Sequence, residues 1–305
     1  MSLVFPITDR ATWLQLRSHD VTASEVGALF GCHKYLSHLA LWANKSGRGK
    51  PQGDNLSMRG GRIFEAAIAA AVQEEYKDWN VQKAEHYYRL PDRRIGATPD
   101  YFRITGEGLN KKKEVIECKF VQPRVFEAEW QKGPPLYYIL QTLTQIYLCE
   151  AEGGWLAVML DNRAKDLTMY RVDRNDAAWE RICAAVERFW QDVAKEEIPQ
   201  ADYARDLDAL KAINPPVEGS IVDLTDSNRL PEILARREEI ARQITDLKAE
   251  QEAIDAEIVD ALDGASIGNA VGYRITHKMQ QRKSYTVPAA EFSVLRVSKL
   301  KGEVV

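Results

Sequence analysis

The two stretches Thr98-Pro99-Asp100-Tyr101-Phe102-Arg103-Ile104 and Glu114-Val115-Ile116-Glu117-Cys118-Lys119-Phe120-Val121 decide how this chain is read. Both are rich in β-branched and aromatic residues, and the turn chemistry of Gly106 to Asn110 separates them, which predicts an antiparallel hairpin. Side chains alternate along a strand, so Val115, Glu117 and Lys119 share one face while Ile116, Cys118 and Phe120 share the other. The second face is apolar and belongs in a core. The first places a carboxylate and an ammonium beside Asp100, which precedes Glu117 by sixteen intervening residues. Hard divalent cations such as Mg²⁺ bind through one or two carboxylates plus water and substrate phosphate. Phosphodiester hydrolysis needs the activated water and neutralised phosphate that such an ion supplies. A plainer reading is also open: Asp100 as a turn residue, and Glu117 and Lys119 as the solvated side of an amphipathic strand.

Outward from this hairpin, residues 1–203 alternate helical and strand patterns without repeats, as a single mixed α/β domain does. Thr22-Ala23-Ser24-Glu25 fits a capping box ahead of a helix through Val26, Leu29 and Phe30. A second helix is expected over Arg62–Tyr76, strands over Glu85–Leu90 and Arg94–Thr98, and together with the hairpin these strands form an antiparallel meander. A helix over Tyr137–Glu150, strands near Gly154–Leu160 and Leu167–Val172, and a helix over Asp176–Lys195 complete the domain. Periodicity fails around Asn214-Pro215-Pro216, so residues 204–229 are expected to be a linker. In 230–305 a heptad begins: Ile233, Ile240, Leu247, Ile254 and Ala261 recur every seven residues, and Arg237, Ile244, Gln251 and Ile258 follow four positions after the first four. A long helix with one seam follows, either packed on the protein's own body or paired between chains. The segment from Asn269 to Val305 is expected to be a small, basic, strand-rich cap.

The formal net charge of −4 conceals a division of charge. Leu230–Asp263 carries ten acidic and four basic residues, whereas Gly268–Val305 carries seven basic and two acidic ones. Arg274, Lys278, Arg282 and Lys283 are therefore candidates for holding duplex DNA, with docking on the acidic helix as the plainer alternative. No apolar run is long enough for a membrane span, and MSLVFPITDR lacks a secretion signal, so a cytoplasmic protein without membrane contact is expected. Cys32, Cys118, Cys149 and Cys183 show neither disulfide nor CxxC spacing and read as reduced core residues. Cys32-His33 and His38 fit no zinc pattern.

The Pro-Asp…Glu-x-Lys spacing resembles the PD-(D/E)XK nucleases, and further blocks resemble the phage λ exonuclease and YqaJ-type viral recombinases. Those blocks are Trp13 with Leu16-Arg17, then Val21 to Val26; Gly61 with Glu65; Thr98-Pro99-Asp100; Glu117-Cys118-Lys119; and Gln141 in the following helix. Together they cover about residues 10–195. The resemblance implies a restriction-endonuclease-like core, a central mixed sheet flanked by helices. It implies a Mg²⁺-dependent exonuclease, with Mn²⁺ able to substitute, that enters at double-stranded DNA ends. Such an enzyme digests the 5′-ended strand and leaves a 3′ tail for a single-strand annealing protein, as in phage recombination. By the same resemblance Asp100, Glu117 and Glu65 are metal ligands, and Lys119 and Gln141 complete the catalytic set. Arg17, Ser24 and Thr98 contact the 5′ phosphate, and Met58 falls where a strand-separating wedge sits. Ser24 is expected in the first turn of its helix, where free N–H groups favour an anion. Glu65 has a plainer alternative as an exposed helix glutamate, and Arg17 as a surface residue. One of Gln141 and Gln145 is expected near the site and the other on the helix surface. A homo-oligomer is implied, a trimer in the λ enzyme, with the C-terminal extension as a departure from it. A structure-specific or restriction-type endonuclease and a non-catalytic DNA-end-binding protein are the alternatives.

Overall fold

A computed structural model describes residues 2–49, 56–160, 163–282, 284, 286, 289 and 293–297. The chain divides into two compact units, Met1–Pro215 and Pro216–Val305. No helix among the described residues is long and apolar enough to cross a membrane.

The first unit is mixed α/β, with two sheets and flanking helices. Its larger sheet has the order β3-β6-β7-β8-β9, formed by Asn80–Lys83, Tyr101–Thr105, Lys112–Val121, Gly153–Leu160 and Arg163–Asp173. The hairpin forms as the sequence predicts: β6 pairs β7 antiparallel with Tyr101 opposite Ile116. Gly106, at φ +71°, supplies a left-handed turn residue whose Cβ would stand 2.3 Å from the Asn110 carbonyl oxygen. Strand β8 then pairs with β7 in parallel, which requires a crossover, and helices α5 (Pro123–Glu129) and α6 (Leu136–Leu148) provide it.

The middle of strand β7, Val115 to Cys118, is buried on both faces, and Glu117 alone among these residues is charged. Ile116 and Cys118 pack with Ile68 and Val72 of α4 (Leu56–Glu75). Val115 and Val121 join the larger core with Leu140, Leu143 and Ile146 of α6. Glu117 faces that larger core and is the exception in it.

The expected single meander is instead split. The strands β4 (His86–Leu90) and β5 (Ile95–Ala97) belong to a second sheet, ordered β1-β4-β5-β2, with β1 at Leu3–Pro6 and β2 at Val21–Thr22. The chain leaves this sheet at Thr98–Asp100 and enters the larger one at Tyr101, so Asp100 lies where the two sheets meet. Buried Asp20 braces the smaller sheet: it accepts from the Tyr87 hydroxyl at 3.0 Å and from Arg89 at 2.7 Å. Helices α1 (Arg10–Ser18), α2 (Val26–Leu29), α3 (His38–Lys45) and α7 (Asp176–Ala194) complete the shell.

Two expectations about the ends of elements change. Helix α2 is a single turn that ends at Leu29, with the expected Phe30 as its C-cap, and the capping box is half formed: Glu25 accepts the Thr22 N–H at 2.8 Å, but the Thr22 hydroxyl donates to Glu25 instead of covering free N–H groups. Part of the expected linker is helix α8 (Leu207–Ile213), anchored by buried Asp206, which accepts from Ser37.

The second unit contains helix α9 (Leu230–Leu262), as the heptad predicts, and a hairpin of β10 (Ile267–Ala270) with β11 (Tyr273–Thr276). Strand structure in the tail is confined to that four-residue pairing among the described residues. Arg274, Lys278 and Arg282 are exposed, and Lys283 lies outside the described residues.

Candidate active site

Because β6 and β7 run antiparallel with Tyr101 opposite Ile116, the same register brings Asp100 across from Glu117. The Asp100 carboxylate accepts the backbone N–H of Cys118 at 2.8 Å, which fixes it against β7. Glu117 is only 3% exposed. The solvated-strand reading therefore fails, and a carboxylate this deeply buried must be hydrogen-bonded. Its Oε1 accepts from the Lys119 ammonium at 2.6 Å and from the Gln141 amide, and its Oε2 accepts from Gln145 at 2.7 Å. Lys119 also sits 4.8 Å above the Tyr138 ring.

Both glutamines come from α6, one turn apart and hence on one face. One of the two was expected on the helix surface, but both reach Glu117: Gln145 is 1% exposed and bonds it on the second oxygen. The i, i+4 spacing was the signal for it. Helix α2 packs tightly on α6 at Gly27, where a Cβ would stand 2.6 Å from that of Tyr137. Glu65, from α4, lines the same cleft, whose volume is about 1710 Å³.

Negative charge is crowded here. Burial first, and Glu117 second, push the Asp100 carboxyl well above the usual carboxylate range. Burial and Glu117 raise Glu65 in the same order. For Lys119, burial is more than offset by Glu117 and Asp100, which hold the ammonium protonated. Gln145 Oε1 is buried without a hydrogen-bond partner among the described residues. Among those residues no three His, Cys, Asp or Glu side chains converge closely enough to hold an ion unaided. Two hard oxygen donors on one cleft wall, Asp100 and Glu117, with excess negative charge around them, nevertheless match an ion that keeps several waters.

In the same cleft, the Trp13 indole N–H donates to the Thr98 hydroxyl at 3.0 Å. The Arg17 guanidinium lies 4.4 Å over the Trp13 ring and donates to the hydroxyls of Thr22 and Ser24, each at 3.2 Å. Arg17, Ser24 and Thr98 are thus assembled in one place, and Arg17 is held rather than loose on the surface. Ser24 itself precedes α2 instead of lying in its first turn, and four residues make no helix dipole worth invoking. Its hydroxyl contributes through Arg17. Beneath them Glu25 pairs with Lys45 at 2.9 Å. Burial would raise the Glu25 carboxyl, but Lys45 and Arg17 hold it below the usual range.

His33, read from sequence as a loop feature, also lines the cleft. Its Nδ1 accepts the N–H groups of Tyr35 and Leu36 at 3.1 and 2.9 Å, and burial favours the neutral ring. Met58 belongs to α4, but its side chain lies outside the described residues.

These positions lie within a stretch that is similar to a known family. The model of the YqaJ-like viral recombinase domain matches residues 12–152, a span that runs from beside Trp13 past Gln145. Among solved structures, this chain is similar to an alkaline exonuclease from Laribacter hongkongensis, with 21% identity over 61% of this chain and 94% of that one and a TM-score of 0.48. It is also similar to a phage-related exonuclease from Haemophilus somnus 129PT, with 11% identity over 58% of this chain and 96% of that one and a TM-score of 0.43. No curated protein matches the chain by sequence. The matched span therefore contains every named residue of the cleft's two clusters, Asp100, Glu117 and Lys119 among them.

Proposed function

We propose that this protein is a Mg²⁺-dependent 5′-to-3′ exonuclease that acts on the ends of linear double-stranded DNA and leaves 3′ single-stranded tails. The observation that carries the reading is the convergence of Asp100, Glu117 and Lys119 in one cleft that is also lined by Arg17, Ser24 and Thr98. Asp100 and Glu117, with Glu65 beside them, would hold the cation. A bound Mg²⁺ supplies an activated water and charge neutralisation at the scissile phosphate. Mn²⁺ has the same oxygen preference and substitutes for it.

The chain's own residues do the positioning. Gln141 and Gln145 donate to the two oxygens of Glu117 and fix its orientation. The protonated Lys119 offers a fixed positive charge to the phosphate as negative charge develops on it, the preorganised stabilisation that matters most in a site shielded from water. Arg17 offers the planar fork that suits a terminal phosphate, with Trp13 keeping its plane and Thr98 and Ser24 adding hydroxyls. A site that grips a 5′ phosphate counts from an end, which is the physical content of exonuclease action. The 3′ tail produced is the substrate of a single-strand annealing protein, the expected partner in recombination.

The test uses linear duplexes with and without a 5′ phosphate, and a closed circle, incubated with the full chain in Mg²⁺. Phosphorylated ends should be degraded fastest, with mononucleotides and 3′ tails as products, and Lys119→Ala should abolish hydrolysis. Cleavage of the closed circle at a similar rate would establish an endonuclease instead. End binding without hydrolysis in either Mg²⁺ or Mn²⁺ would establish a non-catalytic protein.

A further inference from the structure

Helix α9 is 33 residues long, and only Leu262 of it is buried. Nothing among the described residues of its own unit covers its stripe of apolar side chains: Ile233, Ile240, Ile244, Leu247 and Ile254 are 41–64% exposed. In heptad terms Ile233, Ile240, Leu247, Ile254 and Ala261 take one core position, d, and Leu230, Arg237, Ile244, Gln251 and Ile258 take the other, a.

We infer that α9 pairs with α9 of a second copy of this chain as an antiparallel coiled coil. Charge and register together select this occupant and direction. In a parallel pair, g residues meet the e residues of the partner, which places Glu250 opposite the partner's Asp255, twice per dimer, and leaves Arg236 opposite the partner's Ala241. Like charges meet and the one basic g residue is idle. In an antiparallel pair, a layers face d layers and g residues face g residues. Aligning Ile244 with the partner's Leu247 then places Leu230 on the partner's Ala261, Arg237 on the partner's Ile254, Gln251 on the partner's Ile240 and Ile258 on the partner's Ile233. All ten core residues find a layer, and the two-fold axis falls at the middle of the helix. The same register puts Arg236 beside the partner's Glu257, and Gln243 beside the partner's Glu250. Arg236 now pairs with Glu239 one turn along its own helix at 2.6 Å, a contact exposed enough to be shared or exchanged. The helix is thus complementary to itself when reversed and mismatched when parallel. Antiparallel pairing sends the two Leu230 ends, from which the nuclease units extend, roughly 45 Å apart along the coil.

Sedimentation equilibrium of the full chain tests this, with linear-duplex degradation measured alongside. The native chain should be a concentration-dependent dimer. Ile244→Asp should make it monomeric while the degradation rate stays unchanged, because no residue of the cleft lies on α9. Arg236→Glu and Glu257→Arg should each weaken the dimer about tenfold, since each turns two surface attractions into repulsions. The double variant Arg236→Glu/Glu257→Arg should restore it. These charge variants leave the core residues of the helix untouched and remain informative if the aspartate unfolds it. The inference is overturned by a chain that stays monomeric at its solubility limit, by a trimer, or by a dimer insensitive to Ile244→Asp. It is equally overturned if Asp255→Lys strengthens the dimer while Arg236→Glu leaves it unchanged, the signature of a parallel pair.

Discussion

Replacing Asp100 by asparagine separates two things its carboxylate does. As an acceptor it takes the Cys118 N–H at 2.8 Å, which an amide oxygen can also accept, so the contact with β7 survives. As a charge it is crowded by burial and by Glu117, which together raise its carboxyl well above the ordinary range. A carboxyl whose folded pKa exceeds its unfolded one penalises the native state when ionised. The penalty is absent below the unfolded pKa and grows as pH rises towards the folded one. Each tenfold difference in proton affinity between the two states amounts to about 1.4 kcal/mol. In a unit of this size 1 kcal/mol moves the melting temperature by about 2–4 °C. Asp100→Asn in EDTA at pH 8 should therefore melt above the native protein, and the gap should close near pH 4, about the unfolded carboxyl value. Magnesium should reverse the order. An ion bound only by the folded state at a hundred times its Kd adds about 2.7 kcal/mol, and the variant should lose most of that gain together with nuclease activity. Differential scanning fluorimetry over this pH range, with and without MgCl₂, reads both effects. An EDTA melting point at or below that of the native chain at pH 8 would show that the carboxylates are not crowded. Equal magnesium shifts in the two proteins would place the ion elsewhere.

Gln145→Leu keeps the size of the side chain but removes the donor to Glu117 Oε2. Turnover should fall by about ten- to a hundredfold, as a misplaced catalytic group does, with secondary structure by circular dichroism unchanged; unaltered kcat would reduce Gln145 to a packing residue. Arg17→Ala should raise KM for 5′-phosphorylated ends by about tenfold or more, the worth of a charge-assisted hydrogen bond, and leave 5′-hydroxyl ends nearly unaffected. An equal effect on both ends would remove Arg17 from phosphate recognition. Asp20→Ala leaves Arg89 and Tyr87 without their shared acceptor and should cost about 3–5 kcal/mol, the usual loss on breaking a buried pair. In urea this appears as a lower midpoint at constant slope, and a loss under 1 kcal/mol would show that solvent replaces the carboxylate.

The hairpin and its chemistry were legible because strand periodicity is short-range: once Glu114 to Val121 reads as a strand, Glu117 and Lys119 must share a face. Sheet membership was not legible, because it depends on which strand a segment meets after the chain turns. Nothing local to Ile95–Ala97 says that its partners are β4 and the two-residue β2 rather than β6. The same limit explains Ser24. A capping box records hydrogen bonds within four residues, and those form here in part, but it says nothing of the length of the helix that follows. Gln145 shows the complementary case. Its one-turn spacing from Gln141 was visible, yet a glutamine on a helix is usually solvated, and only the position of α6 over β7 makes its face the inside of the site. That position follows in turn from the parallel pairing of β7 with β8, because a parallel connection must cross the sheet and α6 is the element that crosses it. The glutamines reach Glu117 for the same topological reason that the middle of β7 is buried on both faces. The carboxylate in the middle of that strand is held by donors from the crossover helix together with Lys119 of the strand itself.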